Sequence, residues 1–153
     1  MAYEFLLKDL RDNPTPRNIG TDKGLSKIGD AVVNLIYSLA KSIHLTKGSG
    51  NDLIVRTGQK VSKKILARAL KEAGLKDFAR TRSDAHDLAD TVEAIIGYVW
   101  MMQFMSIQEL VEVLETNLSG GVERRVDENH NAAIAFTRLL EHVKKYLPGS
   151  KSS

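Results

Sequence analysis

The feature that most constrains the fold is a long apolar stretch at residues 91–107. Read as a helix, it is apolar on nearly every side, which is typical of a helix that other helices enclose. Glu93 and Gln103 interrupt it, so it falls short of the roughly 20 apolar residues that a membrane-spanning helix needs. We therefore predict a central core helix in a soluble protein that has no membrane partner.

Segments on both sides of this stretch have apolar residues at helical spacing, for example from Leu25 to Leu39 and from Ala132 to Val143. No segment alternates between apolar and polar residues for long enough to predict a sheet. We predict an all-α fold in one domain, residues 1–148, with a disordered tail at 149–153. The six predicted helices cover residues 3–11, 22–44, 59–73, 83–105, 106–119 and 128–146, with a loop at 46–51.

Composition narrows the possible functions. The 153 residues include no cysteine, which excludes disulfides and thiolate zinc sites. The formal net charge of +3 permits an acidic partner such as nucleic acid without requiring one. The N-terminal segment carries acidic residues within its apolar stretch and does not resemble a signal peptide, so we expect a cytoplasmic protein. There is no Gly-rich phosphate loop, and we predict no organic cofactor.

Asp30 is the first polar residue in an unexpected position. It lies in the middle of a predicted helix with apolar neighbours on both sides, where aspartate is a poor helix former. A buried carboxylate without a partner costs several kcal/mol, so Asp30 needs a partner, a metal ion or water. The alternative is that Asp30 lies on a solvated polar stripe (Lys23, Ser26, Lys27, Asp30 and Asn34) and pairs with Lys27.

Asp90 and Glu93 form the second unexpected feature, because their i, i+3 spacing places both carboxylates on one helix face. Like charges this close repel each other unless a cation lies between them, and oxygen ligands suit Mg²⁺ or Mn²⁺. Alternatively, both face solvent or pair with Arg80 or Arg82. Gly97, inside the same helix, predicts close backbone packing. His86, four residues before Asp90, either approaches the site or is a plain exposed histidine.

The two unexpected features lie in the segments LSKIGDAVV at residues 25–33 and ADTVEAIIG at residues 89–97. Both segments resemble motifs of the ribonuclease III family, and the first is similar to the family signature E-x-x-E-F-L-G-D-A-V-L. The segment ADTVEAIIG at residues 89–97 is similar to the second motif, A-D-x-x-E-A-x-x-G-A. Between them, residues 61–70 resemble the middle helix of the family, which has a similar L-A-R run. The resemblance covers about residues 20–145 and is closest to lone nuclease domains of the mini-ribonuclease III type.

This resemblance implies a catalytic metal site formed by Asp30, Asp90 and Glu93. It implies an endonuclease that uses Mg²⁺, or Mn²⁺, to activate a water molecule against a phosphodiester bond of double-stranded or structured RNA. The two signature glutamates are replaced by Lys23 and Ser26. Serine is a much weaker metal ligand, and a protonated lysine is none. The alternative is therefore a ribonuclease III-like RNA-binding or scaffold protein without catalytic activity.

A basic stripe is the predicted RNA-binding surface, because no double-stranded-RNA-binding domain follows the nuclease domain in this sequence. Its members recur at helical spacing on the third predicted helix, and their charges could contact A-form phosphates. A solvated basic face is the alternative. The stripe consists of Lys60, Lys63, Lys64, Arg68 and Lys71.

The resemblance also implies a homodimer, because signature helices of this family pack across a two-fold axis. The helix around Asp30 has apolar residues on more than one face, which is compatible with a partner. The same residues could instead pack within one chain. They are Ile28, Val32, Val33, Ile36 and Tyr37.

Overall fold

The computed structural model describes residues 3–50, 52–119 and 125–149, and within these ranges the chain is helical and has no strand. The predicted all-α fold is confirmed. None of the described helices combines the length and hydropathy required to cross a bilayer. The α-helices are α1 (Lys8–Asp12), α2 (Pro16–Gly20), α3 (Lys23–Gly48), α4 (Lys63–Glu72), α5 (Ala85–Met101), α6 (Ile107–Thr116) and α7 (Arg125–Val143), with 3-10 turns at Glu4–Leu7, Lys76–Phe78 and Lys144–Tyr146.

Helix α5 is the centre of the fold, as the apolar stretch predicts. Most of its side chains are buried on every side of the helix. It packs against α2, α3 and α4, while α7 covers α4 and α6, and α6 also contacts α3. A capping box at Asp84 and Asp87 starts α5, because each side chain accepts a hydrogen bond from the backbone N–H of the other residue.

Two glycines allow α3 and α5 to cross with their backbones in contact. A Cβ atom on Gly29 would lie 1.7 Å from the carbonyl oxygen of Glu93. On Gly97, a Cβ atom would lie 2.9 Å from the carbonyl oxygen of Leu25. The close packing predicted at Gly97 is therefore confirmed. This crossing brings the two sequence motifs together.

Residues 52–62 precede α4 as an extended segment that runs antiparallel to α3. Its backbone is held by side chains that recur every four residues on α3, so they share one face of that helix. Ser38 and Ser42 each accept from a backbone N–H and donate to the carbonyl of the same residue. The pairs are Asn34 with Val61, Ser38 with Gln59, Ser42 with Thr57 and Thr46 with Val55.

A buried polar cluster connects α3 to α7. The Tyr37 hydroxyl donates to Glu128 Oε2 at 2.6 Å, and Lys41 Nζ lies 2.8 Å from the same oxygen. Lys41 also donates to the side chain of Gln59 in the extended segment. Tyr37 is therefore an internal residue. Val32, Val33 and Ile36 are buried as well, so four of the five apolar residues suggested for a dimer surface pack within the chain.

Several predicted boundaries differ from the structure. Helix α3 continues to Gly48, through half of the predicted loop, and α4 begins at Lys63 instead of residue 59. Helices α5 and α6 end at Met101 and Thr116, earlier than predicted. The short helix α2, capped by Thr15 with Pro16 in its first turn, was not predicted. Helix α7 begins at Arg125, three residues early. Apart from Gly149, the predicted disordered tail lies outside the described residues.

Candidate active site at the crossing of α3 and α5

Asp30, Asp90 and Glu93 line the same cleft, although 60 residues of sequence separate the first from the others. Asp30 projects from α3, and the other two project from neighbouring turns of α5. The cleft has a volume of about 290 Å³ and is open to solvent on one side. Its complete lining is Lys23, Ser26, Lys27, Asp30, Lys63, His86, Asp90 and Glu93.

Lys63 bridges the two carboxylates of α5. Its Nζ lies 3.3 Å from Asp90 Oδ1 and 3.3 Å from Glu93 Oε1. Partial burial lowers the pKa of Lys63, but the charges of Glu93 and Asp90 and the hydrogen bonds to both raise it overall. The i, i+3 spacing of Asp90 and Glu93 predicts a cation between them. In the structure this cation is the ammonium group of Lys63.

The residues just before Lys63 hold its backbone in place next to the cleft. The N–H of Val61 donates to Asn34 Oδ1 at 2.8 Å, which anchors the chain two residues earlier to α3. Ser62 then caps α4 by accepting from the N–H of Ile65. Lys63 is the first residue of α4. Its side chain therefore extends toward α5 from a backbone position that the contacts of Val61 and Ser62 hold in place.

Glu93 is the most buried acid of the cleft, with 3% of its surface exposed. Burial, together with a hydrogen bond that protonated Glu93 gives to Asp30 and the negative charge of Asp30, raises the pKa of Glu93 to about 7, and Lys63 opposes this shift. Ser26, at one of the positions where the family signature has glutamate, donates a long hydrogen bond of 3.5 Å to Glu93 Oε1.

Asp90 is surrounded by basic groups. Lys23 Nζ lies 3.6 Å from Asp90 Oδ2, and His86 Nε2 lies 3.8 Å from the same oxygen. His86 thus lies next to the site, while its side chain remains 67% exposed. The alternative pairing of Asp90 and Glu93 with Arg80 is wrong, because Arg80 pairs with Asp87 in the first turn of α5 at 3.1 Å. Lys23, in place of a signature glutamate, thus adds positive charge where the family pattern adds negative charge.

Asn34 is a site residue that the sequence argument placed on the polar stripe of α3 without giving it a role. Its Nδ2 donates to Asp30 Oδ1 at 3.3 Å, while its Oδ1 accepts from the extended segment. Among the described residues Asp30 forms no ion pair with Lys27, so the suggested pairing of these two residues is wrong. Asn34 orients Asp30 and links it to the chain that carries Lys63.

By donor type, the three carboxylates fit a hard divalent cation such as Mg²⁺. Within the described ranges, however, no three acidic or histidine side chains converge in a group that could hold a metal ion in this arrangement. Asp90 and Glu93 instead share an ammonium group, which shows that positive charge is stabilised between them. The carboxylates of the cleft therefore suit a cation, and in this structure the Lys63 ammonium is the cation between Asp90 and Glu93.

The predicted basic stripe does not form a single helical face. Lys60 lies on the extended segment, and Lys63 belongs to the cleft, because α4 begins at Lys63. Lys64 and Lys71 are exposed on α4. Arg68 is partly exposed and pairs with Glu72 at 3.1 Å. Within the part of the chain that the structure describes, Lys64 and Lys71 form no ion pair, so they are the exposed charges of the stripe on α4.

Comparison with known proteins identifies the family of the chain. The model of the family described as Ribonuclease III matches residues 23–148, from the first residue of α3 to beyond the end of α7. A comparison with curated proteins finds no match. Because the family model covers most of the chain, this protein belongs to the ribonuclease III family.

Proposed function

We propose that this protein is an endoribonuclease of the ribonuclease III type that hydrolyses phosphodiester bonds in double-stranded or structured RNA. The observation that carries the proposal is that Asp30, Asp90 and Glu93 line one open cleft. These acids come from the two motifs by which the chain resembles the family. A long RNA duplex can reach a cleft of this kind because it lies at the surface.

In this proposal Asp30, Asp90 and Glu93 hold Mg²⁺ or Mn²⁺. When bound, such an ion activates water and stabilises the charge that develops on the phosphate. Asn34 keeps Asp30 oriented through its hydrogen bond to Oδ1. Lys23 and Lys27 line the same cleft and attract the RNA phosphates toward it.

A homodimer is part of the proposal, and the structure offers a different surface from the one first suggested. Exposed apolar residues recur on one face of α3, at a spacing of seven, four and four residues. This stripe is about 22 Å long, as follows from the helical rise of 1.5 Å per residue. It consists of Ile28, Leu35, Leu39 and Ile43.

The second candidate is an RNA-binding or scaffold protein that does not cleave. It is favoured by the ion pairs of Lys63 and Lys23, which engage Asp90 and Glu93, two of the three acids proposed to hold the metal ion. The replacement of a signature glutamate by Ser26 favours it too. Both candidates predict RNA binding, so only cleavage separates them.

The decisive experiment is incubation of a long double-stranded RNA with purified protein and Mg²⁺ or Mn²⁺. Asp30→Asn and Glu93→Gln are expected to reduce cleavage by about a hundredfold or more, since each removes a cation ligand. Glu112→Gln is the matched control, because it removes a carboxylate from the exposed face of α6. An inactive parent whose RNA binding survives both site mutations would support the second candidate instead.

A further inference from the structure

The Lys63 ammonium lies between Asp90 and Glu93, in the space that a cation shared by these two acids would need, and it donates to one oxygen of each carboxylate. These are Asp90 Oδ1 and Glu93 Oε1, each at 3.3 Å from Nζ. A magnesium ion binds oxygen at about 2.1 Å. A metal ion bound to either of these oxygens would therefore lie no more than about 5.4 Å from the ammonium in its present position.

This arrangement is built into the fold. The backbone on the N-terminal side of Lys63 is anchored to α3 through Asn34, and α4 begins at Lys63 itself. Its two acceptors lie on the buried central helix, where Glu93 has almost no access to water. Lys23 contacts the other oxygen of Asp90, but its side chain is 70% exposed and is held only at 3.6 Å. Lys63 is thus the principal cation of the cleft.

We infer that Lys63 is an internal competitor for the metal ion, so that a divalent cation and the Lys63 ammonium exclude each other between Asp90 and Glu93. Metal binding then requires Lys63 to turn away from both acids. Two positive charges at this separation repel each other. In addition, a carboxylate oxygen that binds the metal ion is no longer free to accept a hydrogen bond from Lys63. The inference rests on the proposed metal-binding role of these acids. It goes beyond that role because it assigns Lys63 to control of the occupancy of the site.

The test is a Mn²⁺ titration of the full chain without RNA, followed by electron paramagnetic resonance of free Mn²⁺ and by calorimetry. Lys63→Met is expected to bind Mn²⁺ about tenfold more tightly than the parent, which corresponds to about 1.4 kcal/mol. Lys63→Arg keeps a cation in place and should bind no more tightly than the parent. Adding Glu93→Gln to Lys63→Met should remove the gain, because it deletes the shared acceptor.

Lys64→Met is the matched control. It removes the same charge from the next residue of α4, whose side chain is exposed and away from the cleft. Lys63→Gln replaces Lys63→Met if the methionine variant does not fold, as judged by its circular dichroism melting curve. Tighter binding by the Lys63 variants alone supports the inference.

Three results would overturn it: no gain with Lys63→Met or Lys63→Gln, an equal gain with Lys64→Met, or no Mn²⁺ binding by any variant. The readout is independent of RNA cleavage. A protein that fails to cleave but gains Mn²⁺ affinity without Lys63 would contradict the proposed activity and leave the competitor role intact. RNA cleavage without a gain in Mn²⁺ affinity would support the proposed activity and contradict the competitor role of Lys63.

Discussion

Gly29 on α3 lies directly against the backbone of Glu93 on α5, so that a Cβ atom at Gly29 would come within 1.7 Å of the Glu93 carbonyl oxygen. No other residue type fits at this point without moving one helix. Asp30 follows Gly29 in sequence, and Glu93 carries one of the acids opposite it. The glycine that permits helix contact therefore also sets the distance between the acids of the cleft.

Replacing Gly29 by alanine should destabilise the protein severely. The added methyl group meets backbone, which cannot rotate away, so we expect a loss of about 3 kcal/mol or more in the free energy of unfolding. Chemical denaturation followed by circular dichroism measures this loss. Gly48→Ala is the matched control on the same helix, because nothing lies within 4 Å of its added Cβ. Its stability should change by no more than about 1 kcal/mol. Equal effects at both positions would contradict direct backbone contact between α3 and α5 at Gly29.

The buried cluster around Glu128 should make stability depend on pH. Burial raises the pKa of Glu128, but hydrogen bonds from Lys41, Tyr37 and Gln59 and the charge of Lys41 lower it overall. A carboxyl group with a lowered pKa stabilises the fold above its unfolded pKa, and this contribution is lost as the pH falls through the folded pKa.

Glu128→Gln should therefore cost about 3 kcal/mol at pH 7, since it leaves Lys41, whose side chain is only 11% exposed, without its charge partner. The difference from the parent should shrink as the pH is lowered toward about pH 3. Urea denaturation over this pH range measures it. Glu141→Gln on the same helix removes an exposed ion pair with Arg138 and should cost less than about 1 kcal/mol at either pH. A difference between Glu128→Gln and the parent that does not depend on pH would contradict the prediction.

Helical periodicity was sufficient to predict the main helices and the buried position of α5, because burial of one face or of all faces leaves a regular apolar pattern. It was not sufficient for the chain before α4. There the hydrogen-bond partners of the backbone are side chains of α3, such as Asn34, Ser38 and Ser42, up to 27 residues away. Nothing in the local pattern of residues 52–62 indicates these partners.

In the candidate site, too, the sequence predicts one part of the arrangement and the fold determines the rest. The need for a cation between Asp90 and Glu93 follows from their spacing alone, but the identity of that cation depends on where α4 begins. With the predicted helix start at residue 59, Lys63 belongs to a solvated stripe. In the structure α4 begins at Lys63, and this lysine lies in the cleft. The apolar residues of α3 were also ambiguous, since a core and a dimer surface need the same residue types. Only packing separates buried Ile36 from exposed Leu35.

RNA binding should depend on the exposed lysines of α4. Lys64→Gln and Lys71→Gln should each weaken binding to any duplex sequence, because contacts to phosphates carry no sequence information. Each should also reduce the slope of log K against log salt concentration by about 1. Fluorescence anisotropy at several salt concentrations measures both effects. Lys8→Gln, which removes an exposed lysine of α1 paired with Asp12, is the control. Unchanged slopes in both α4 variants would remove this surface from the proposed RNA contact.

The apolar stripe of α3 should pack against its copy in a second chain. In a two-fold dimer the same patch contacts itself, so a single charge introduced at its centre appears twice at the same interface. Leu39 is one of the two inner residues of the stripe and is 41% exposed. Leu39→Glu should therefore convert a dimer into a monomer without loss of helicity, because the glutamate is solvated in the single chain and buried without a partner in the dimer. Sedimentation equilibrium measures the mass.

Phe5→Glu is the control for this change. Phe5 is 74% exposed and lies outside α3, so its replacement removes exposed apolar surface but leaves the stripe intact. It should stay dimeric. A parent protein that sediments as a monomer at all concentrations would exclude pairing through this stripe. If the parent is a dimer and Leu39→Glu remains one, the two chains associate through another surface, and α3 then has an apolar face that serves neither the core nor the dimer.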